Sequence, residues 1–468
     1  MRFEERLNNG ARELLLDDVK NRISQTWSEI DHPRRTEPEL TAETKAVLST
    51  QLPETGWGDR TTLEAAAKIL DQSLAQSRPR FLAYIGSSGL EIGAVADFLA
   101  ASYDFNLAID SKAASLLEQQ TARWLGQFVG YHNAEGLFTS GGTVSNLTAL
   151  AAARQQVDPA ARKLGNTKKL TVYCSVESHY SNTRAVEILG LGSNSMRDIG
   201  VDGNRRMRTD LLRAQIQKDL ASGFTPMAII ATAGTTLTGA VDPLNEIADL
   251  ANEFGIWLHV DGAYGAPAAG TLTGAPLFDG IDRAQSVTID AHKWMFVPKA
   301  CSVLLVKDLS VLQSTFGHDE AYMPHDTQAA NPVDLTLEYS RPLRALKLWM
   351  ALAAFGAEGF RAALDSNLDL AQYCYSIASG RENFRVLDNR PQLSVVPIQL
   401  QHPDPSKTSL LNQLLTEAVV KDGRFFLSEA QIDGETWLRP CFTNFRTTRE
   451  DVDDLFLVLE EVAEGVNL

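Results

Sequence analysis

Thr288-Ile289-Asp290-Ala291-His292-Lys293-Trp294 decides how this 468-residue chain is read. An apolar, β-rich run from Ser286 ends at Asp290, and Lys293 follows at once, between a histidine and a tryptophan. That is an odd place for a solvating charge. A lysine partly withdrawn from water loses its proton more readily, and its neutral amine can condense with a carbonyl. Working outward, similar runs occupy Thr171–Val176, Ala228–Thr232, Ile256–Asp261 and Ser302–Val306, with helix-like segments such as Asn245–Phe254 between them. Near-continuous apolar strands alternating with helices predict an α/β fold with a mainly parallel sheet covered by helices on both faces.

The flanks read differently. The first eighty residues look helical, with breaks at Asp31-His32-Pro33 and Pro53-Glu54-Thr55-Gly56. Toward the C-terminus a helical stretch, Pro342–Ala378, leads to strand-like Ser394–Leu400, Arg424–Glu429 and Thr436–Phe442, with a helix at Thr408–Lys421. A last amphipathic helix follows Thr447-Thr448-Arg449-Glu450, which has the form of a capping box. The organisation expected is an N-terminal helical segment (1–80), a large α/β domain (81–345) and a small C-terminal α+β domain (346–468).

Composition excludes several classes. With 44% hydrophobic and 22% charged residues the chain packs as a globular protein rather than staying disordered. Lys plus Arg number 43 against 59 Asp plus Glu, a net charge of −16, which argues against a general nucleic-acid or anionic-membrane binder. No apolar run reaches the roughly 18 residues of a membrane span, and the charged first twenty residues lack a signal-peptide core. Cys174, Cys301, Cys374 and Cys441 are too far apart for zinc spacing or a disulfide framework. A soluble, cytoplasmic protein without a structural metal is expected. HExxH, GxSxG and Walker A sequences are absent.

Three further stretches stand at strand ends, where open α/β sheets bind ligands. Asp261, closing Ile256-Trp257-Leu258-His259-Val260-Asp261, is a carboxylate at the end of a buried strand and needs a cation or donor. A protonated pyridine nitrogen would serve, and the small Gly262 and Ala263 would admit a flat ring. Ser140-Gly141-Gly142-Thr143 opens a helix and offers free N–H groups and a positive dipole end to a phosphate. His179, in Glu177-Ser178-His179-Tyr180, follows a strand and could stack on a ring. Each alone is also what an ordinary turn, helix cap or structural histidine looks like. Together with Lys293 they meet the requirements of pyridoxal 5′-phosphate (PLP).

With these residues in place, the chain resembles the group II PLP-dependent amino-acid decarboxylases, from about Phe81 to the C-terminus, most specifically in Ala291-His292-Lys293-Trp294. The resemblance implies fold type I, a homodimer with sites at the subunit interface, and decarboxylation of an L-amino acid to its amine and CO2. It makes Lys293 the Schiff-base lysine, Asp261 the partner of the pyridine nitrogen and His179 the ring stacker. Gly142, Thr143 and His292 would hold the phosphate, while Thr232 and Ala263 would line the ring. Asp290 stands where some relatives have Asn near the phosphate. Tyr322 matches the catalytic tyrosine of the family's mobile loop. Tyr84, Ser87 and Asn106 fall in the substrate pocket, and Arg439 and Arg446 are candidate carboxylate anchors. The substrate is then an aromatic or an acidic or polar amino acid. An aldehyde synthase of the same family and a catalytically dead relative are the alternatives; an intact Lys293, His179 and Tyr322 favour decarboxylation.

Overall fold

The computed structural model describes residues 9–32, 38–74, 76–86, 88–318 and 331–466. Its centre is a seven-stranded sheet in the order β1-β7-β6-β5-β4-β2-β3. The strands are β1 (Glu135–Thr139), β2 (Leu170–Ser175), β3 (Met196–Ile199), β4 (Thr225–Thr232), β5 (Trp257–Asp261), β6 (Ser286–Ile289) and β7 (Ser302–Val306). The five runs read from sequence are β2, β4, β5, β6 and β7. The two edge strands, β1 and β3, are not among them. Pairs from β3 to β6 are parallel, whereas β7 runs antiparallel to both β6 and β1.

Alternation along each strand feeds two cores. Tyr173, Ile229, Leu258 and Val260 pack on one face, and Val172, Met227, Ile230 and Trp257 on the other. Because two reversals restore direction, β1 ends at the same edge as β2, β4, β5 and β6. That edge gathers the chemistry.

A second sheet, β10-β11-β9-β8, is antiparallel throughout and comprises β8 (Phe384–Val386), β9 (Ile398–Leu400), β10 (Glu429–Ile432) and β11 (Glu435–Leu438). Helices Thr408–Asp422 and Arg449–Ala463 pack against it. Helix Ala345–Ser379, kinked at Gly356 (φ +63°), contributes Leu348 and Leu364 to the first core and Leu370 and Cys374 to this one.

Three sequence expectations shift here. The extended stretches 394–397 and 424–428 lie outside the sheet, because Val395 and Phe426 pair singly with Cys441 and Phe81 instead. The strand expected over Thr436–Phe442 is the shorter β11. The capping box is one residue later than expected: Thr448 caps Asp451, while the Thr447 hydroxyl donates to the Pro79 carbonyl. N-terminal helices run Asn9–Ile30, Ala42–Leu48 and Asp59–Asp71. Among the described residues no helix is long and apolar enough to cross a membrane, and no His/Cys/Asp/Glu group could hold a metal.

Candidate active site

At the carboxyl edge of the sheet lies a cavity of about 410 Å³, lined by residues that follow β1, β2, β4, β5 and β6 and by Tyr84 and Arg439. Gly142, Thr143, His179, Thr232, Asp261, Ala263, His292 and Lys293 all border it. Residues as far apart in sequence as Gly142 and Lys293 meet because each follows a strand of one sheet.

Lys293 sits on the single helical turn Ala291–Trp294, with its side chain 26% exposed and its Nζ 2.9 Å from Asp290 Oδ2. Burial alone would lower its pKa, as the sequence reading expected. The Asp290 carboxylate more than offsets that, and the net direction is upward. His292 Nδ1 lies 3.1 Å from the backbone N and 2.9 Å from the carbonyl O of Cys301, which anchor the imidazole beside Lys293. Burial holds the His292 pKa below the ordinary value.

Asp261 is buried, and its Oδ2 accepts from Asn146 Nδ2 (2.9 Å) and Asn182 Nδ2 (3.0 Å). Its Oδ1 takes only a long bond from the Ala263 N–H (3.3 Å), leaving acceptor capacity on the cavity side. Ala263 lines the cavity, as expected. Gly262 does not: its smallness serves packing, since a Cβ there would come within 2.5 Å of the Ala266 Cβ.

His179 Nδ1 accepts from the Ser181 N–H at 3.3 Å and lies 2.8 Å from the Ser181 hydroxyl, and burial lowers its pKa. The Thr232 hydroxyl is buried without a hydrogen-bond partner at the cavity wall. At the start of helix Gly142–Val157 the leading N–H groups have no intrahelical acceptor. A Cβ on Gly142 would approach Asp290 Oδ2 to 2.9 Å and the Ala263 Cβ to 3.3 Å. An amine, an orphaned hydroxyl, a carboxylate with a free oxygen and a glycine-built helix start are the donor set that PLP requires. The residues fit the group.

Among the substrate candidates, Tyr84 (φ +55°, 54% exposed) and Arg439 line the cavity. Asn106 does not: its Oδ1 is spent on the N–H groups of Ala108 and Arg341. Arg446 is also away from it, clamped by Asp31, Ser88 and Glu91 and lying over the Phe445 ring, so it is a structural tie. Ser87 and Tyr322 lie outside the described residues. Sequence reasoning missed Asn146 and Asn182. Asn146 lies one helical turn after Gly142, and Asn182 three residues after His179. A search for amide partners one turn behind each cavity residue could have found both.

A lysine, a carboxylate and a glycine-built phosphate cradle on such a sheet define a PLP-dependent enzyme. The chain belongs to the pyridoxal-dependent decarboxylases, whose conserved-domain model matches residues 42–401. It is 32% identical to an aromatic-L-amino-acid decarboxylase from Bacillus atrophaeus over 456 residues, covering 94% of each chain. It is 30% identical to the human cysteine sulfinic acid decarboxylase over 453 residues, covering 92% of this chain and 90% of that one. The crystal structure of mouse CSAD in apo form superposes with a TM-score of 0.91 at 28% identity, over 97% of this chain and 99% of that one. The chain is thus a PLP-dependent amino-acid decarboxylase, a carboxy-lyase of fold type I.

Proposed function

We propose that the chain decarboxylates an L-amino acid whose side chain ends in an anionic group, and that it does so as a homodimer. The observation carrying the substrate reading is Arg439. It is buried at the cavity wall, donates to the Thr236 carbonyl (2.8 Å) and the Ser428 hydroxyl (3.1 Å), and has no acidic partner among the described residues. Burial lowers its pKa, so an anion arriving there relieves an uncompensated charge. An arginine on the α-carboxylate would stabilise the group that must leave as neutral CO2, and so would oppose the reaction. On a side-chain carboxylate or sulfinate it holds ground and transition states equally. The human cysteine sulfinic acid decarboxylase supports this choice. The Bacillus atrophaeus relative and the Tyr84 ring at the cavity wall favour the second reading, an aromatic substrate.

The bound cofactor supplies an aldehyde for amines and a ring that accepts the electron pair left by departing CO2. In our reading Lys293 offers the amine, and Asp261 Oδ1 holds the proton of the ring nitrogen. His179 covers the ring, Thr232 and Ala263 line it, and Gly142, Thr143 and His292 receive the phosphate. Tyr322, on the sequence alone, is the acid that delivers a proton to the α-carbon. Exposed apolar residues on the N-terminal helices (Leu14, Leu16, Leu70) and on helix Glu91–Tyr103 (Phe98, Tyr103) support a second copy covering them.

Borohydride reduction and peptide mapping should place a pyridoxyl group on Lys293, and light scattering should give about twice 51.2 kDa. A CO2-release screen of the proteinogenic amino acids, cysteine sulfinate and diaminobutyrate decides the substrate. Release from aromatic amino acids alone would overturn the acidic reading.

A further inference from the structure

Behind Asp261 runs a chain of side-chain hydrogen bonds that reaches the core. Trp257 Nε1 donates to Ser286 Oγ (2.9 Å), and Ser286 Oγ lies 2.8 Å from His259 Nδ1. His259 Nε2 lies 3.1 Å from Asn146 Oδ1, and Asn146 Nδ2 donates to Asp261 Oδ2 at 2.9 Å. All five residues are buried, with His259 and Ser286 fully so. The period of two along β5 puts Trp257, His259 and Asp261 on one face, and register pairs His259 with Ser286 on β6.

The two ends of this chain fix its direction. An indole N–H can only donate and a carboxylate can only accept. Ser286 Oγ therefore accepts from Trp257 and has its own hydrogen free for His259 Nδ1. At the other end Asp261 needs a donor, so Asn146 turns its NH2 there and its Oδ1 is left to accept the His259 proton on Nε2. A flip of Asn146 would set oxygen against carboxylate and NH2 against an N–H, two repulsions at once.

We propose that His259 is a positioning residue: in its Nε2–H form it locks Asn146 in the orientation that donates to Asp261 Oδ2, leaving Asp261 Oδ1 free toward the cofactor ring. Burial, which disfavours a charged imidazole, agrees with a neutral ring here. The competitor is the Ser286 backbone carbonyl, which also bears on His259 and would favour a proton on Nδ1. The inference rests on Asp261 being the ring-nitrogen partner, and the test separates the two.

The full chain, labelled with ¹⁵N-histidine, should give for His259 the nitrogen shifts of a neutral Nε2–H imidazole from pH 5 to 9. An Nδ1–H or charged ring would overturn the proposal whatever any variant does. The chain stripped of cofactor is then titrated with PLP, with its circular dichroism checked. His259→Phe should weaken PLP binding about tenfold, the size expected when a charge-assisted hydrogen bond at a buried carboxylate is misdirected. His259→Gln, which still offers an N–H at the Nε2 position, should recover to within about threefold. Asp261→Asn is the control. If it leaves PLP affinity unchanged, the assignment of Asp261 has failed. If it weakens binding while a folded His259→Phe binds as wild type, the positioning role has failed. Should His259→Phe not fold, the tautomer and the His259→Gln affinity still decide.

Discussion

Lys293 Nζ and Asp290 Oδ2 lie 2.9 Å apart at the mouth of a strand–helix turn, and this pair sets the state of the amine before any aldehyde arrives. Asp290 has one buried oxygen, Oδ1, with no hydrogen-bond partner. Its carboxylate holds Lys293 protonated against the effect of burial. A protonated amine does not attack an aldehyde.

Asp290→Asn should therefore speed cofactor loading. Without the carboxylate, the largest offset to burial is lost and the Lys293 pKa falls. Each unit of fall gives about tenfold more neutral amine at neutral pH. The substitution also removes a negative charge from beside the Gly142 turn, so the equilibrium should tighten as well. Stopped-flow absorbance on mixing the stripped protein with PLP measures both. Slower loading or weaker binding would make Asp290 a necessary contact instead.

This pair also marks where sequence reading ran out. The Lys293 environment was legible as a lysine after a buried strand, and the five central strands were legible from apolar runs whose length and composition leave little choice. β1 and β3 carry less of that signal: β1 starts with an exposed Glu135, and β3 is only half-buried. The direction of the Lys293 shift depends on a distance to Asp290 that a sequence does not contain. Asn106 and Arg446 stand away from this cavity for the same reason, because nearby backbone groups and carboxylates in the folded chain engage them. The shell behind Asp261 needed two helices and two strands placed together.

Gly142→Ala should cost cofactor affinity out of proportion to its size. The new methyl would stand 2.9 Å from Asp290 Oδ2 and 3.3 Å from the Ala263 Cβ, inside the turn read here as the phosphate seat. Alanine is a better helix former than glycine, by ~1 kcal/mol in a helix interior, so stability of the stripped protein should change little. We expect the PLP dissociation constant to rise at least about tenfold while the unfolding midpoint of the stripped chain stays close to wild type. An unchanged constant would move the phosphate seat elsewhere.

Glu118 and Arg341 form a two-bond ion pair (2.6 and 2.9 Å) whose side chains are almost wholly buried, and Glu118 Oε1 also accepts from the Phe138 N–H at the cavity end of β1. Glu118→Gln leaves the guanidinium buried without its countercharge and should cost about 3–5 kcal/mol in urea unfolding. Replacing both residues with apolar side chains of similar volume should recover most of that loss. A double replacement as damaging as the single one would show that the Phe138 contact, rather than the charge, carries the stability.

Acid should destabilise the protein partly through its site histidines. Burial lowers the pKa of His179, His292 and His259, the last to about 4. A folded-state value below the unfolded one, near 6.5, means the unfolded chain binds more protons as pH drops. The stability is present above about pH 6.5 and is lost as pH falls toward the folded value. For His259 alone the loss between pH 7 and pH 5 is about 2 kcal/mol. Urea unfolding at the two pH values should show a drop smaller by about that much in His259→Gln. Equal drops in both proteins would mean that the fold does not lower the His259 pKa.

The last prediction concerns Arg439 and divides the two substrate readings by kinetics. Arg439→Lys keeps the positive charge but loses the planar fork that donates to Thr236 and Ser428, and Arg439→Met removes the charge while keeping length. If the guanidinium binds a side-chain anion that takes no part in bond breaking, its contact is equal in ground and transition states. The loss then falls on KM and spares kcat. A buried charge-assisted pair is worth ~1.5–3 kcal/mol, so KM for an acidic substrate should rise about 10- to 100-fold in Arg439→Met. The lysine variant should lie between. With aromatic substrates neither variant should move KM by more than a few-fold. A rise in KM accompanied by a rise in kcat would place Arg439 on the α-carboxylate instead, and the acidic reading would lose the residue that supports it.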